Sequence, residues 1–329
     1  MRRDDDCNHP HPTDGQIPYP LRSSKKLPLT SANDPLVSLN DGAHTGTTLP
    51  KPRRKQRMKP RDIDELASWL SERDFGILGS VAEHQFLTVH QVEALHFGDL
   101  APTSGGRIAR RTLARLREYR LLGTLKRRIG GVKSGSAGLV HYLDTAGDQL
   151  LNKRSAQQGR RRSRDPSTRF LSHRLAIADA HVALAQSHRQ QSLELVECVV
   201  EPISWRRFLG IGAVRLTLKT DLYIETAVPP GNELVHGWFV EIDLGTEGIQ
   251  TLLKKCHDYE AYRRTGIEQE QGGFPLVIWS MTHADPLTAE RRRRDLGKAI
   301  DRDHSLAPKL FRIVAPDQLI PLLMSGGAV

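Results

Sequence analysis

Apolar and polar positions follow two different rhythms along this chain. Between residues 62 and 152 the apolar positions recur near helical spacing. In Phe75–Phe86 they fall at Phe75, Leu78, Val81, Ala82 and Phe86, which predicts an amphipathic helix. The next run, Leu87–Phe97, opens on Thr88 with Gln91 three residues later, a capping-box pattern that predicts a second helix start. A glycine-bearing loop over Gly98–Gly106 then leads to a third predicted helix, Arg107–Tyr119, with Ile108, Ala109, Leu113 and Leu116 facing a core. Leu121-Leu122-Gly123 reads as its glycine stop. Two strand-like runs, Thr124–Ile129 and Leu139–Leu143, follow, and then a short capped helix over Asp144–Leu151.

From residue 170 the rhythm changes. A helix-like segment, Phe170–Arg189, precedes three strand-like runs. Helices over Ile249–Arg263 and Thr288–Ile300 then alternate with strands over Pro275–Met281 and Lys309–Val314. Two of the strand-like runs, Leu218–Glu225 and Gly237–Leu244, have period two. Leu218, Leu222 and Ile224 share one face of the first, and Trp238, Val240, Ile242 and Leu244 one face of the second. The turn-rich stretch between them predicts an antiparallel hairpin centred near Gly231.

These patterns divide the chain into four parts: a disordered basic tail (1–61), a helical domain with a hairpin (62–152), a basic linker (153–169) and a mixed α/β domain (170–320). The fold class is α+β and multidomain. Three helices followed by a two-stranded hairpin form a winged helix-turn-helix arrangement. The 329 residues suit about two domains. No apolar run reaches the roughly 18 residues of a membrane span, and the first residues have no apolar core of a secretory signal. Three scattered cysteines give no disulfide framework, so a reducing cytoplasm is the expected compartment.

Charge adds a partner. The net charge is +10, which points to a polyanion, most commonly nucleic acid. On the third helix Arg107, Arg111 and Arg115 lie four apart, with Arg110 and Arg117 beside them and no acid before Glu118. That stripe is expected to meet guanine edges or phosphates in the major groove of double-stranded DNA. Lys126, Arg127, Arg128 and Lys133 would form a basic wing along the backbone. Lys51–Arg61 carries seven basic residues and no acid, and reads either as a solvated tail or as a phosphate-binding arm.

The second domain adds candidate chemistry. The hairpin register puts Asp221 opposite or diagonal to Glu241 on the non-core face, with Asp243 two residues on. Like charges this close repel, so they either spread into water or share a divalent cation such as Mg²⁺. A bound cation would lower the pKa of a water and stabilise a pentavalent phosphate.

The order helix, strand, Asp-bearing strand, Glu-x-Asp strand, helix, strand resembles the PD-(D/E)xK nuclease-like (restriction-endonuclease-like) fold. The resembling pieces are Thr220-Asp221, Glu241-Ile242-Asp243 and the helix Leu252–Tyr262. Together with the first domain, the chain resembles the replication-relaxation family of actinobacterial plasmids and mobile elements. The residues that carry this are Phe86–Val92, Arg110–Leu116, Leu121–Gly123, Val240–Glu247 and Lys255–Tyr259, within about 70–315. The resemblance implies a role in plasmid replication and in relaxation of DNA for transfer, beside a relaxase or replication initiator. The nuclease pattern wants lysine two residues after the acid, where this chain has Asp243. Lys254 or Lys255, on the following helix, would supply the ammonium from a migrated position. Asp221 and Glu241 would then be metal ligands, and Asp243 a third ligand or an outer partner.

Other signals are weaker. Cys7, His9 and His11 lack a fourth zinc ligand, and Gly130–Ser134 misses the P-loop spacing. His173 and His181 read as core-edge or surface residues, and Arg291–Arg294 as either a solvated turn of helix or a second phosphate contact. Three readings stay open: a DNA-binding accessory factor whose nuclease-like domain need not cut, an active Mg²⁺-dependent endonuclease, and a transcriptional regulator with a docking domain. Oligomeric state has no signal in the sequence.

Overall fold

The structure is a computed structural model and describes residues 22–23, 60–126, 138–155 and 166–328. A two-residue strand, β1 (Arg22–Ser23), precedes the rest in the chain. The basic segment 51–59, the wing residues Arg127, Arg128 and Lys133, and Cys7, His9 and His11 lie outside the described residues, as does 156–165, most of the run 153–169 that the sequence assigns to a linker.

The first half is mainly helical. Helix α1 (Pro60–Ser68) begins inside the segment expected to be disordered. Helix α2 (Glu72–His84) is capped by Ser71, which shares a capping box with Asp74. After β2 (Leu87–Thr88), Thr88 caps α3 (Val89–His96) through the predicted box with Gln91. Helix α4 spans Pro102–Glu118, so it starts five residues before the sequence places it. Proline at its first turn fixes a helical φ and has no N–H to waste there, and Gly105 and Gly106 are buried where a side chain would meet Phe97 and Glu93.

The stop of α4 also differs from expectation. Arg120, at φ 58°, takes the left-handed position. The amides of Arg120 and Leu121 close back onto Arg117 and Leu116 at 2.9 and 3.0 Å, a Schellman ending without glycine. Gly123 instead sits in β3 (Leu122–Thr124), where a Cβ would lie 2.4 Å from the Tyr142 ring. Strand β3 pairs with β4 (Val140–Leu143), and β4 also pairs with β2. Helix α5 (Thr145–Ser155) packs back on α1 and α2. Leu78, Val81, Ala109, Leu113 and Leu116 are in the core as their spacing implies, while Phe75, Ala82 and Ile108 are partly buried.

The second half is built on a mixed sheet in the order β11-β10-β9-β8-β5, with β1 on the far end of β9. Its strands are β5 (Glu194–Val200), β8 (Leu222–Ala227), β9 (Leu234–Asp243), β10 (Leu276–Met281) and β11 (Phe311–Val314). A separate hairpin, β6 (Arg206–Leu209) and β7 (Arg215–Leu218), intervenes between β5 and β8. Leu218 therefore belongs to that hairpin and not to the strand of Leu222 and Ile224. Helix α6 (Thr168–Arg189) and α9 (Leu319–Met324) cover one face, with Trp238, Val240 and Ile242 beneath. Helices α7 (Ile249–Arg263) and α8 (Pro286–Arg302) cover the other, with Tyr223 and Phe239 beneath.

Helix α6 joins the halves. Ile177 and Leu184 pack on the sheet. Leu171 and Leu175 pack with Phe86, Leu125 and Val140 of the first half. Arg174, 1 % exposed, donates to the carbonyls of Glu83 and His84 and to Glu201. Gln91 of α3 donates to the Leu175 carbonyl and to Asp179, at 2.9 and 2.6 Å. Among the described residues no helix is long and apolar enough to cross a membrane.

Candidate active site

The β8–β9 register runs Leu222 opposite Val240 to Ala227 opposite Val235, which centres the hairpin on Gly231 as expected. One step further, Asp221 reaches the level of Glu241, and its Oδ2 accepts from the Ile242 amide at 2.8 Å. The expected non-core face is the correction here. Asp221, Glu241 and Asp243 are 6, 1 and 4 % exposed, because α7 and α8 lie across their side of the sheet. Alternation alone showed one apolar face, whereas the sheet is covered on both.

Buried carboxylates need partners, and each has its own. Glu241 accepts from the Lys255 ammonium and from the Tyr259 hydroxyl, both on α7. Asp243 accepts from Arg292 of α8 at 2.8 Å and from the Gly245 amide at 3.1 Å. Asp221 faces His173 of α6, 3.2 Å from Oδ1 to Nε2. Lys254 is exposed on the outer side of α7, so of the two candidate lysines only Lys255 reaches the carboxylates. Lysine at 255 and tyrosine at 259 are four apart, which aims both at the same strand residue.

The charges shape one another. Burial alone would raise Asp221, but the Lys255 ammonium and the His173 hydrogen bond hold it below the usual carboxylate range. Burial pushes Glu241 up, against the pull of Lys255. Burial would lower Lys255, yet Glu241 and Asp221 together hold it above the ordinary lysine value. For His173 burial is outweighed by Asp221 and Glu201, which raise it.

These groups border an open cleft of about 600 Å³ between the start of α6, the ends of β8 and β9, and α7. His173, Glu201 and Asp221 offer ligand atoms within 4.8 Å of one another, so a metal could sit there. Of the three expected ligands only Asp221 belongs to this group; Glu241 and Asp243 spend their oxygens elsewhere. Two carboxylates and one imidazole suit a divalent cation that accepts nitrogen, such as Mn²⁺, better than all-oxygen Mg²⁺. Sequence reading missed Glu201, which ends the approach from β5 with no motif around it. His173 was visible, but only the fold brings it to Asp221.

The arginines of α4 divide. Arg107, Arg110 and Arg111 are exposed, as is Lys126 beyond β3. Arg107 and Arg110 also edge a cleft of about 960 Å³ between α3, α4 and α6. Arg115 instead binds buried Asp74 at 2.6 Å, and Arg117 is half-buried. The expected unbroken five-arginine face is thus three, because an acid from α2, remote in sequence, claims the fourth. Of the run 291–294 on α8, Arg292 and Arg293 turn inward, to Asp243 and to the Met281 carbonyl, which leaves Arg291 and Arg294 exposed to meet a phosphate.

Fold and cleft together define a mixed α+β protein with an acid–lysine centre in one half and an arginine-bearing helix in the other. The chain belongs to the replication-relaxation family, whose model matches residues 78–277, a stretch that includes α4, His173, Glu201, Asp221, Glu241, Asp243, Lys255 and Tyr259. That membership points to a role in replication or relaxation. Neither the curated proteins nor the solved structures include a match.

Proposed function

We propose that this chain is a DNA-binding protein of plasmid or mobile-element replication and relaxation that nicks DNA with a divalent cation. The first half acts as a winged helix-turn-helix with α4 in the major groove, and the second as a PD-(D/E)xK nuclease-like centre. The observation that carries this reading is Lys255. It delivers an ammonium to Glu241 and Asp221 from α7, replacing the lysine missing at position 243.

A cation held by Asp221, Glu201 and His173 would supply Lewis acidity toward a phosphodiester. His173 must be neutral to offer nitrogen, so cation and proton compete there. Lys255 offsets part of the charge of the acids that would otherwise repel a phosphate, and Tyr259 fixes Glu241. A relaxase or replication initiator is the partner such a nick would serve. A second reading, binding without cutting, is favoured by the two donors that already occupy Glu241.

Supercoiled plasmid with Mn²⁺ or Mg²⁺ separates the two. Nicking by the wild type is expected, with a loss of about 100-fold or more in Asp221→Ala and Lys255→Met and with DNA binding retained. Binding without nicking by the wild type would leave the second reading. DNA binding has its own signature: replacing Arg107, Arg110 and Arg111 together by alanine should flatten the log affinity–log salt slope by about 2–3. A slope unchanged by the triple substitution would remove α4 from the interface.

A further inference from the structure

The β6–β7 hairpin is bracketed in the chain by Glu201 and Asp221, two groups of the candidate metal site. The Glu201 amide donates to the Asp221 carbonyl at 3.0 Å, closing the base of an excursion between two groups of the candidate metal site. Residues 202–220 contain Arg206, Arg207, Arg215 and Lys219 and no acid.

The hairpin has two unlike faces. The register pairs Arg206 with Leu218, Arg207 with Thr217, Phe208 with Leu216 and Leu209 with Arg215. Cross-strand partners share a face. Phe208 and Leu218 are buried in the aromatic core under α7. Arg206 lies 4.4 Å over the Tyr223 ring and binds Glu268 at 2.9 Å, which roots the same face. The other face presents Arg207, Leu209, Arg215 and Thr217, all exposed. Leu209 and Val214 are 60 and 57 % exposed, though leucine and valine are normally among the most buried residues. A rooted, acid-free arm with two arginines around bare aliphatic side chains matches the way DNA-bending proteins work: cations on phosphates, an apolar wedge at the base steps.

The cleft supplies a reason for such an arm. Its acids repel a phosphate backbone, so a nucleic acid entering it needs cations close by. Arg207 and Arg215 have no acidic partner among the described residues, and they stand on the same short excursion that ends at Asp221.

We propose that the β6–β7 hairpin is a DNA-gripping arm, in which Arg207 and Arg215 hold phosphates of double-stranded DNA and Leu209 and Val214 press into the base stack. It rests on the DNA-binding part of the function proposed above, and not on cutting.

The test uses the full chain on a duplex carrying 2-aminopurine, titrated at several salt concentrations. Arg207→Ala/Arg215→Ala should lower the log–log salt slope by about 2 and leave the circular dichroism unchanged. Leu209→Ser/Val214→Ser should keep that slope and lose the fluorescence rise that marks unstacking. If the arginine pair leaves the slope unchanged while the α4 triple variant lowers it, the protein binds DNA without this arm and the proposal is wrong. The exposed face would then serve a protein partner. If the wild type binds no duplex at any salt, the proposed function falls, and the arm with it.

Discussion

Arg174→Leu should cost about 3–5 kcal/mol of stability, among the largest effects of any single substitution here. The side chain is 1 % exposed and makes bonds to three acceptors from two segments. Its loss strands the Glu83 and His84 carbonyls at the end of α2 and leaves Glu201 without its cation. A buried acceptor without a donor costs about 1–3 kcal/mol, and leucine, though near in size, supplies no donor. Urea unfolding of the full chain measures the loss. Arg174→Lys should recover only part of it, because one ammonium cannot span the fork that guanidinium provides. A leucine variant within 1 kcal/mol of wild type would show that the carbonyls find other donors.

Acid should open the helical half between pH 6.5 and 4. Burial holds His84 down to about 3 and His96, His141 and His181 down to about 4. His84 and His181 hydrogen-bond each other at 2.9 Å, an arrangement that requires one neutral ring to donate and the other to accept. The sign follows from linkage. Above pH 6.5 these rings are neutral folded or unfolded and contribute nothing to the pH dependence. Below it the unfolded chain takes up protons that the folded one refuses, so stability falls with pH until the folded values are reached. At pH 5 each such ring costs about 2 kcal/mol. Glu241 and His173, both raised, work the other way in the sheet half. Urea midpoints at pH 7 and pH 5, followed through Trp69, should therefore differ sharply. Equal midpoints would mean that these histidines carry protons in the folded protein.

Much of this architecture was legible in the chain because it rests on local rules. The Thr88–Gln91 box, the span of α7, the order of β9, β10 and β11, and the register about Gly231 all follow from periodicity and turn chemistry. What escaped depends on packing at a distance. The Schellman ending at Arg120 needs a left-handed arginine, which no propensity favours. The β6–β7 hairpin merged with its neighbour because Leu218 continues the alternation of Leu222 across a change of sheet. In the cleft, Asp221, Glu241 and Lys255 could be named from a motif and its displacement. Glu201 and His173 join them only through the crossing of β5 and α6 near β8, and Arg292 finds Asp243 only because α8 folds over the sheet.

The sequence looks divisible at the basic run before α6, yet a proteolytic clip there would not free two sound pieces. His173, Arg174 and Leu175 are consecutive and point around most of the helix's circumference, to Asp221, to the end of α2 and to the patch beside Phe86. A fragment ending before Thr168 would carry Gln91, the His84 ring and the Phe86–Val140 surface bare into water. The remainder would keep Arg174 with only Glu201 to hold. Expressed apart, each piece should be sticky and poorly soluble, and mixed together they should rescue one another. One 22-residue rod is the common property of both halves.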